Sequence, residues 1–128
     1  MGDTILSLGM HPSAIDFSRY PGITEDMLTA RVEAGEAQLR AAGFDIVPCR
    51  LTSDDPDDAE KRIRATVAER PVRVVVIGAG LRMVEEYTLL FEKVVNLLVD
   101  LVPGIRFCFN TSPETTIDAL RRWARPSH

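Results

Sequence analysis

The stretch Val72-Arg73-Val74-Val75-Val76-Ile77 closes with four β-branched residues in succession, and Gly78-Ala79-Gly80 follows at once. β-Branched side chains are stiff at χ1 and suit a pleated surface, and an unbroken apolar run belongs to a strand covered on both faces. Gly78 and Gly80 allow the sharp exit such a strand needs before a helix returns across it. From about Met83 to Val102 the chain is then apolar around most of a helical circumference. A doubly covered strand, a glycine turn and a helix belong at the middle of an α/β domain, and ligands collect at the ends of such strands.

The rest of the chain repeats that unit. Thr4-Ile5-Leu6-Ser7-Leu8 reads as a short apolar strand ending at Gly9. Met10 to Gly22 has two prolines and no helical period, and it exceeds the ~2–6 residues usual between strand and helix. A lid or docking loop suits it. Thr24 caps the first helix, with Glu25 and Asp26 at the positive end of the dipole. Leu28, Val32, Gly35, Leu39 and Ala42 form its buried stripe, Gly35 implies a close approach to the sheet, and Gly43 is the stop.

Phe44–Cys49 is the second strand, with Pro48 marking an edge. The aspartates around Pro56 lack the glycine and distal glutamate of a calcium loop. Asp55 as cap and Pro56 at the first helical position explain them. Ala59, Ile63 and Val67 turn inward on that second helix, which ends at Arg70-Pro71. Ile105–Phe109 is the fourth strand: Ile105, Phe107 and Phe109 share one face, Arg106 and Cys108 the other, as at an edge. The last helix opens with Thr111 or Ser112 as cap and buries Ile117, Leu120, Trp123 and Ala124.

Four β-α units in succession imply a parallel sheet between two helix layers, joined by right-handed crossovers. The expected architecture is one α/β domain over residues 1–128, a three-layer α/β/α sandwich with strand order 2-1-3-4. That is a shortened flavodoxin-like, Rossmann-like arrangement. The connections reverse direction between strands 1 and 3, so the ligand edge lies at their carboxyl ends, where loops 9–22, 78–82 and 110–113 converge. Cys49 and Cys108 fall on opposite edge strands, ~14 Å apart and beyond the ~7 Å a disulfide spans.

A net charge of −4 argues against nucleic-acid binding through phosphates. The first residues lack the basic start and long apolar core of a signal peptide, and charges interrupt the 83–102 helix too often for a membrane span. A cytoplasmic protein is expected. Gly78-Ala79-Gly80-Leu81-Arg82-Met83 is half of a dinucleotide fingerprint, but Met83 replaces its third glycine and the motif follows the wrong strand. Glu85 and Glu86 would also repel a phosphate there, so tight turning explains the glycines better.

His11 and His128 are the only histidines, and neither has zinc-site spacing with the cysteines or acids. His11 with Asp16 could form a base–orienter pair near Ser13, against the plainer use of His11 as an anchor of its loop. Arg19, Tyr20 and Arg82 are stronger ligand contacts, with Gly78, Gly80, Asn110, Thr111 and Ser112 completing the cleft. Arginines at a strand-end cleft suit a carboxylate or phosphate, although nearby acids or a partner subunit compete for them.

The stretches Gly9–Phe17, Val76–Arg82 and Arg106–Pro113 resemble those of a family of small bacterial α/β proteins of unassigned function. The resemblance runs over nearly the whole chain and implies no activity. Two function classes follow from the residues. One is a protein or simple enzyme that takes a small anionic metabolite at the carboxyl ends of strands 1, 3 and 4, with Arg82 as its anchor. The other is a non-catalytic homo-oligomeric accessory protein that buries the 83–102 helix against a second copy.

Overall fold

The computed structural model describes residues 2–127; His128, weighed above as a ligand, lies outside them. Strands β1 (Thr4–Met10), β2 (Asp45–Leu51), β3 (Val74–Ile77) and β4 (Arg106–Phe109) pair in parallel in the order β2-β1-β3-β4. The expected α/β architecture and strand order are therefore the observed ones. Five helices cover the sheet: α1 (Glu25–Ala41), α2 (Pro56–Glu69), α3 (Ala79–Arg82), α4 (Thr88–Leu101) and α5 (Thr116–Trp123). Among the described residues no helix is long and apolar enough to cross a membrane.

Local chemistry starts and stops these elements. Thr24 Oγ1 accepts the amide of Met27 at 3.1 Å, and Asp55 Oδ1 accepts that of Asp57 at 3.0 Å. The aspartates around Pro56 are thus a helix start. Gly43 ends α1 at φ +92°, in the left-handed region that other residues avoid. Ser112 rather than Thr111 opens the last helical segment, a 3-10 turn over Pro113–Thr115 that leads into α5.

Strand alternation divides the core in two. On one face Leu6, Leu8, Leu51, Val75 and Ile77 pack under Ile63 of α2, Leu81 of α3 and Leu90, Val94 and Leu98 of α4. On the other, Ile5, Ile46, Val74, Val76 and Cys108 meet Leu39 of α1 and Ile117 and Leu120 of α5. Cys49 and Cys108 are free and buried on opposite edge strands, and burial pushes the Cys108 thiol up to about 11 and Cys49 upward as well.

Several expectations need correction. The 83–102 helix is three pieces: α3, a 3-10 turn at Glu85–Tyr87, and α4. Leu90, Val94 and Leu97 of the helix expected to meet a second copy are all buried inside the monomer, because α4 packs on α2 as well as on the sheet. Of the large apolar residues of α4, only Leu89 and Val99 remain strongly outward, 72% and 52% exposed. The surface this helix offers to a second copy is much narrower than its apolar circumference implies. Trp123 is half exposed rather than buried, and loop 10–22 contains two 3-10 turns, Pro12–Ala14 and Phe17–Arg19. Gly35 makes its close approach to the backbone of Pro113, not to the sheet: a Cβ there would stand 3.4 Å from Pro113 O.

Candidate functional site

The amino-terminal half of α1 does not close on the sheet. Leu28, Val32 and Gly35 of its inward stripe are only half-buried, and Leu39 alone is fully covered. Beneath them lies a cavity of about 610 Å³, at the carboxyl ends of β1 and β3 where the strand order reverses. That size falls within the range of small-molecule sites. Ser7, Gly9 and Val76 form its floor and Leu28, Val32 and Leu39 its roof. Ile15, Phe17 and Ile23 of the long loop, with Met83, Val84 and Tyr87 beyond α3, line its sides. A Cβ built on Gly9 would meet nothing within 4 Å, so this glycine opens the floor.

Three arginine–glutamate clasps hold the walls together. Arg19 of the long loop binds Glu86 with Nη1 at 3.0 Å and Nη2 at 2.5 Å. Arg31 of α1 binds Glu114 with Nε at 2.9 Å and Nη2 at 2.5 Å. Arg50 of β2 pairs with Glu36 of α1 and donates from Nη1 to Ser7 O at 2.8 Å. The first two are fork-to-fork contacts that fix direction as well as distance, whereas Arg50 divides its guanidinium between one Glu36 oxygen and the Ser7 carbonyl. Hydrogen bonds from Arg19 hold the Glu86 carboxyl down at about 2, and those from Arg31 lower Glu114. Burial raises Tyr87.

The expected contacts meet this geometry unevenly. Arg19, Tyr20, Gly78, Gly80, Asn110, Thr111 and Ser112 all line the cavity. Asn110 is already engaged: Oδ1 accepts from Ala79 N at 2.9 Å and Nδ2 donates to Thr116 Oγ1 at 2.8 Å. The amides of Thr111 and Ser112 donate to Thr115 Oγ1 at 2.9 and 3.2 Å. Arg82 is turned away from the cavity. It donates from Nη2 to Asn110 O at 2.9 Å and lies 5.3 Å over the Phe109 ring, while its buried Nε finds no partner among the described residues. Its place at the strand end does not make it an anchor.

His11 and Asp16 do not pair either. His11 Nδ1 accepts the amide of Ser13 at 3.1 Å and lies 2.8 Å from Ser13 Oγ, capping the first 3-10 turn. Asp16 accepts the amide and hydroxyl of Ser18 at 3.1 and 2.6 Å, and those bonds lower its pKa. Each residue serves its own turn. The sequence reading missed Ser7, Arg31, Glu36 and Arg50. A signal was available for two of them: Arg50 shares a strand face with Ile46, and Glu36 adjoins Gly35 on the inward side of α1. No family model matches the chain, and no curated protein matches it.

Proposed function

We propose that this chain binds a small, mainly apolar organic molecule carrying one polar group, with its apolar body between α1 and the sheet. The carrying observation is the charge pairing of the cavity wall. Arg19, Arg31 and Arg50 each face a glutamate, the first two in two-point forks, so an entering anion must displace a carboxylate already in place. An apolar body meets no such competition and gains by leaving water. The polar group belongs beside Ser7 and the Arg50–Glu36 pair, where donor and acceptor atoms border the floor. The anionic metabolite expected from sequence becomes the competitor in the test.

A thermal-shift panel of neutral apolar molecules and of anionic metabolites separates the two. A neutral ligand at a hundred times its Kd should raise the melting temperature by about 10 °C. Gly9→Leu, which fills the open floor, should abolish that response while the fold persists. A response confined to anions, or one that survives Gly9→Leu, would overturn the proposal. The rival accessory-protein reading rests on the outward Met83, Leu89 and Val99. It would take over if the panel returns nothing and light scattering shows a dimer that Leu89→Asp dissociates.

A further inference from the structure

We propose that the opposite, amino-terminal edge of the sheet carries a separate site for a phosphate group, held by Arg73, Arg106 and Arg125. Seven of the thirteen arginines pair with carboxylates: Arg19, Arg31, Arg40, Arg50, Arg62, Arg64 and Arg70. Arg82 and Arg122 give their guanidinium groups to the carbonyls of Asn110 and Phe109. Among the described residues this leaves Arg73, Arg106, Arg121 and Arg125 with neither kind of partner. Three of those four line one crevice of about 180 Å³, with Asp3, Val74 and Gly104.

Backbone bonds bring the three arginines to one end of the sheet. Arg106 N donates to Arg73 O at 3.2 Å, joining the starts of β4 and β3, and Arg73 N donates to Thr4 O at 2.9 Å. Asp3 N donates to Arg125 O at 3.0 Å, and Arg125 N returns a bond to Asp3 Oδ2 at 2.9 Å. The chain beyond α5 is thereby tied to the start of β1. Asp3 supplies one negative charge against three positive ones. The surplus matches a phosphate group, which carries about −1.5 to −2 near neutral pH. Three positive charges around one crevice repel one another, and an anion between them reverses the sign of that interaction. At about 30 Å³ per water, the crevice has room for a phosphate and bridging waters.

The experiment is isothermal titration of the full chain with inorganic phosphate, with phenyl phosphate and with acetate, at fixed ionic strength. Phosphate should bind with a Kd of about 1 mM, and Arg73→Gln and Arg106→Gln should each weaken it about tenfold. Arg121→Gln, the fourth unpartnered arginine but outside the crevice, should leave binding unchanged. Tighter binding of phenyl phosphate assigns the site to a phosphate ester; equal or weaker binding assigns it to the free ion. The proposal is independent of the apolar cavity, so Gly9→Leu should bind phosphate normally. It is overturned if the chain does not bind phosphate, if acetate binds as well, if Arg121→Gln or Gly9→Leu loses binding, or if the two crevice variants retain it.

Discussion

The two faces of the sheet are covered by helices of opposite character. Over one face α4 is apolar around most of its circumference, and it finds two neighbours, the sheet and α2, so Leu90, Val94, Leu97 and Leu98 all disappear from solvent. Over the other face α1 has a narrow stripe, and glutamate–arginine clasps tie it to β2 and to the turn before α5. Apolar breadth closes one layer. On the other side a polar helix is held at a stand-off and a cavity remains under it. The difference teaches that an open site in a small domain can come from a helix with too little apolar surface, braced by charges at its sides.

The largest test compares the two layers directly. Leu98, fully buried beneath α4, should cost about 2–5 kcal/mol when cut to alanine, from lost transfer energy and the void left behind. Val32, half-buried over the cavity, should cost less than about 1 kcal/mol as Val32→Ala, since it leaves contacts already incomplete. Urea denaturation of both variants measures the pair. Equal costs would mean that α1 closes on the sheet in solution, and the contrast between the faces would be lost.

A second test ranks the clasps. Arg50 and Glu36 are about one-fifth exposed, whereas Arg31 and Glu114 are 39% and 56% exposed. Glu36→Gln removes the partner of a largely covered guanidinium and should cost about 1–3 kcal/mol. Glu114→Gln breaks a solvated pair and should cost no more than about 1 kcal/mol. A double-mutant cycle with Arg50→Gln isolates the coupling between Glu36 and Arg50. If Glu114→Gln proves as costly as Glu36→Gln, depth in the cavity is not what makes the Arg50 clasp matter.

The architecture was readable because β-branched runs, glycine stops and caps all agreed on where strands and helices begin. The break at Met83–Val84 was not readable, since apolar periodicity continues across it while the backbone does not. Neither was the second neighbour of α4. A sequence shows how much of a helix is apolar, not how many elements will cover it, so the apolar excess of the 83–102 helix read as an interface. Arg82 shows the same limit at a single side chain: its position at the strand end was right, but the Phe109 ring and the Asn110 carbonyl took the guanidinium. Arg73, Arg106 and Arg125 lie on three separate elements, and only the parallel register and the Asp3–Arg125 bonds bring them to one edge.

The smallest effect is a matter of pH and concerns the outer clasp of the cavity. Glu86 titrates at about 2 in the folded chain, against an ordinary 4.5, because Arg19 donates two hydrogen bonds to its carboxylate. A depressed folded pKa adds stability that is present above 4.5 and lost as pH falls from there toward 2. Both side chains are about half exposed, so the contribution is small and screened by salt. Its structural effect is larger than its energetic one, because Arg19–Glu86 ties the long loop to the turn before α4. A carbon-detected NMR titration of Glu86 should find a midpoint near 2, moving back toward 4.5 in Arg19→Gln and at high salt. Amide shifts of Ile15, Phe17 and Tyr20 should follow the same midpoint, while those of Val94 and Leu98 under the closed layer stay put. A Glu86 midpoint near 4.5 in the unmodified chain would mean that this clasp is open in solution. Arg19 would then be free to meet an anion, and the charge pairing that favours an apolar ligand would be incomplete.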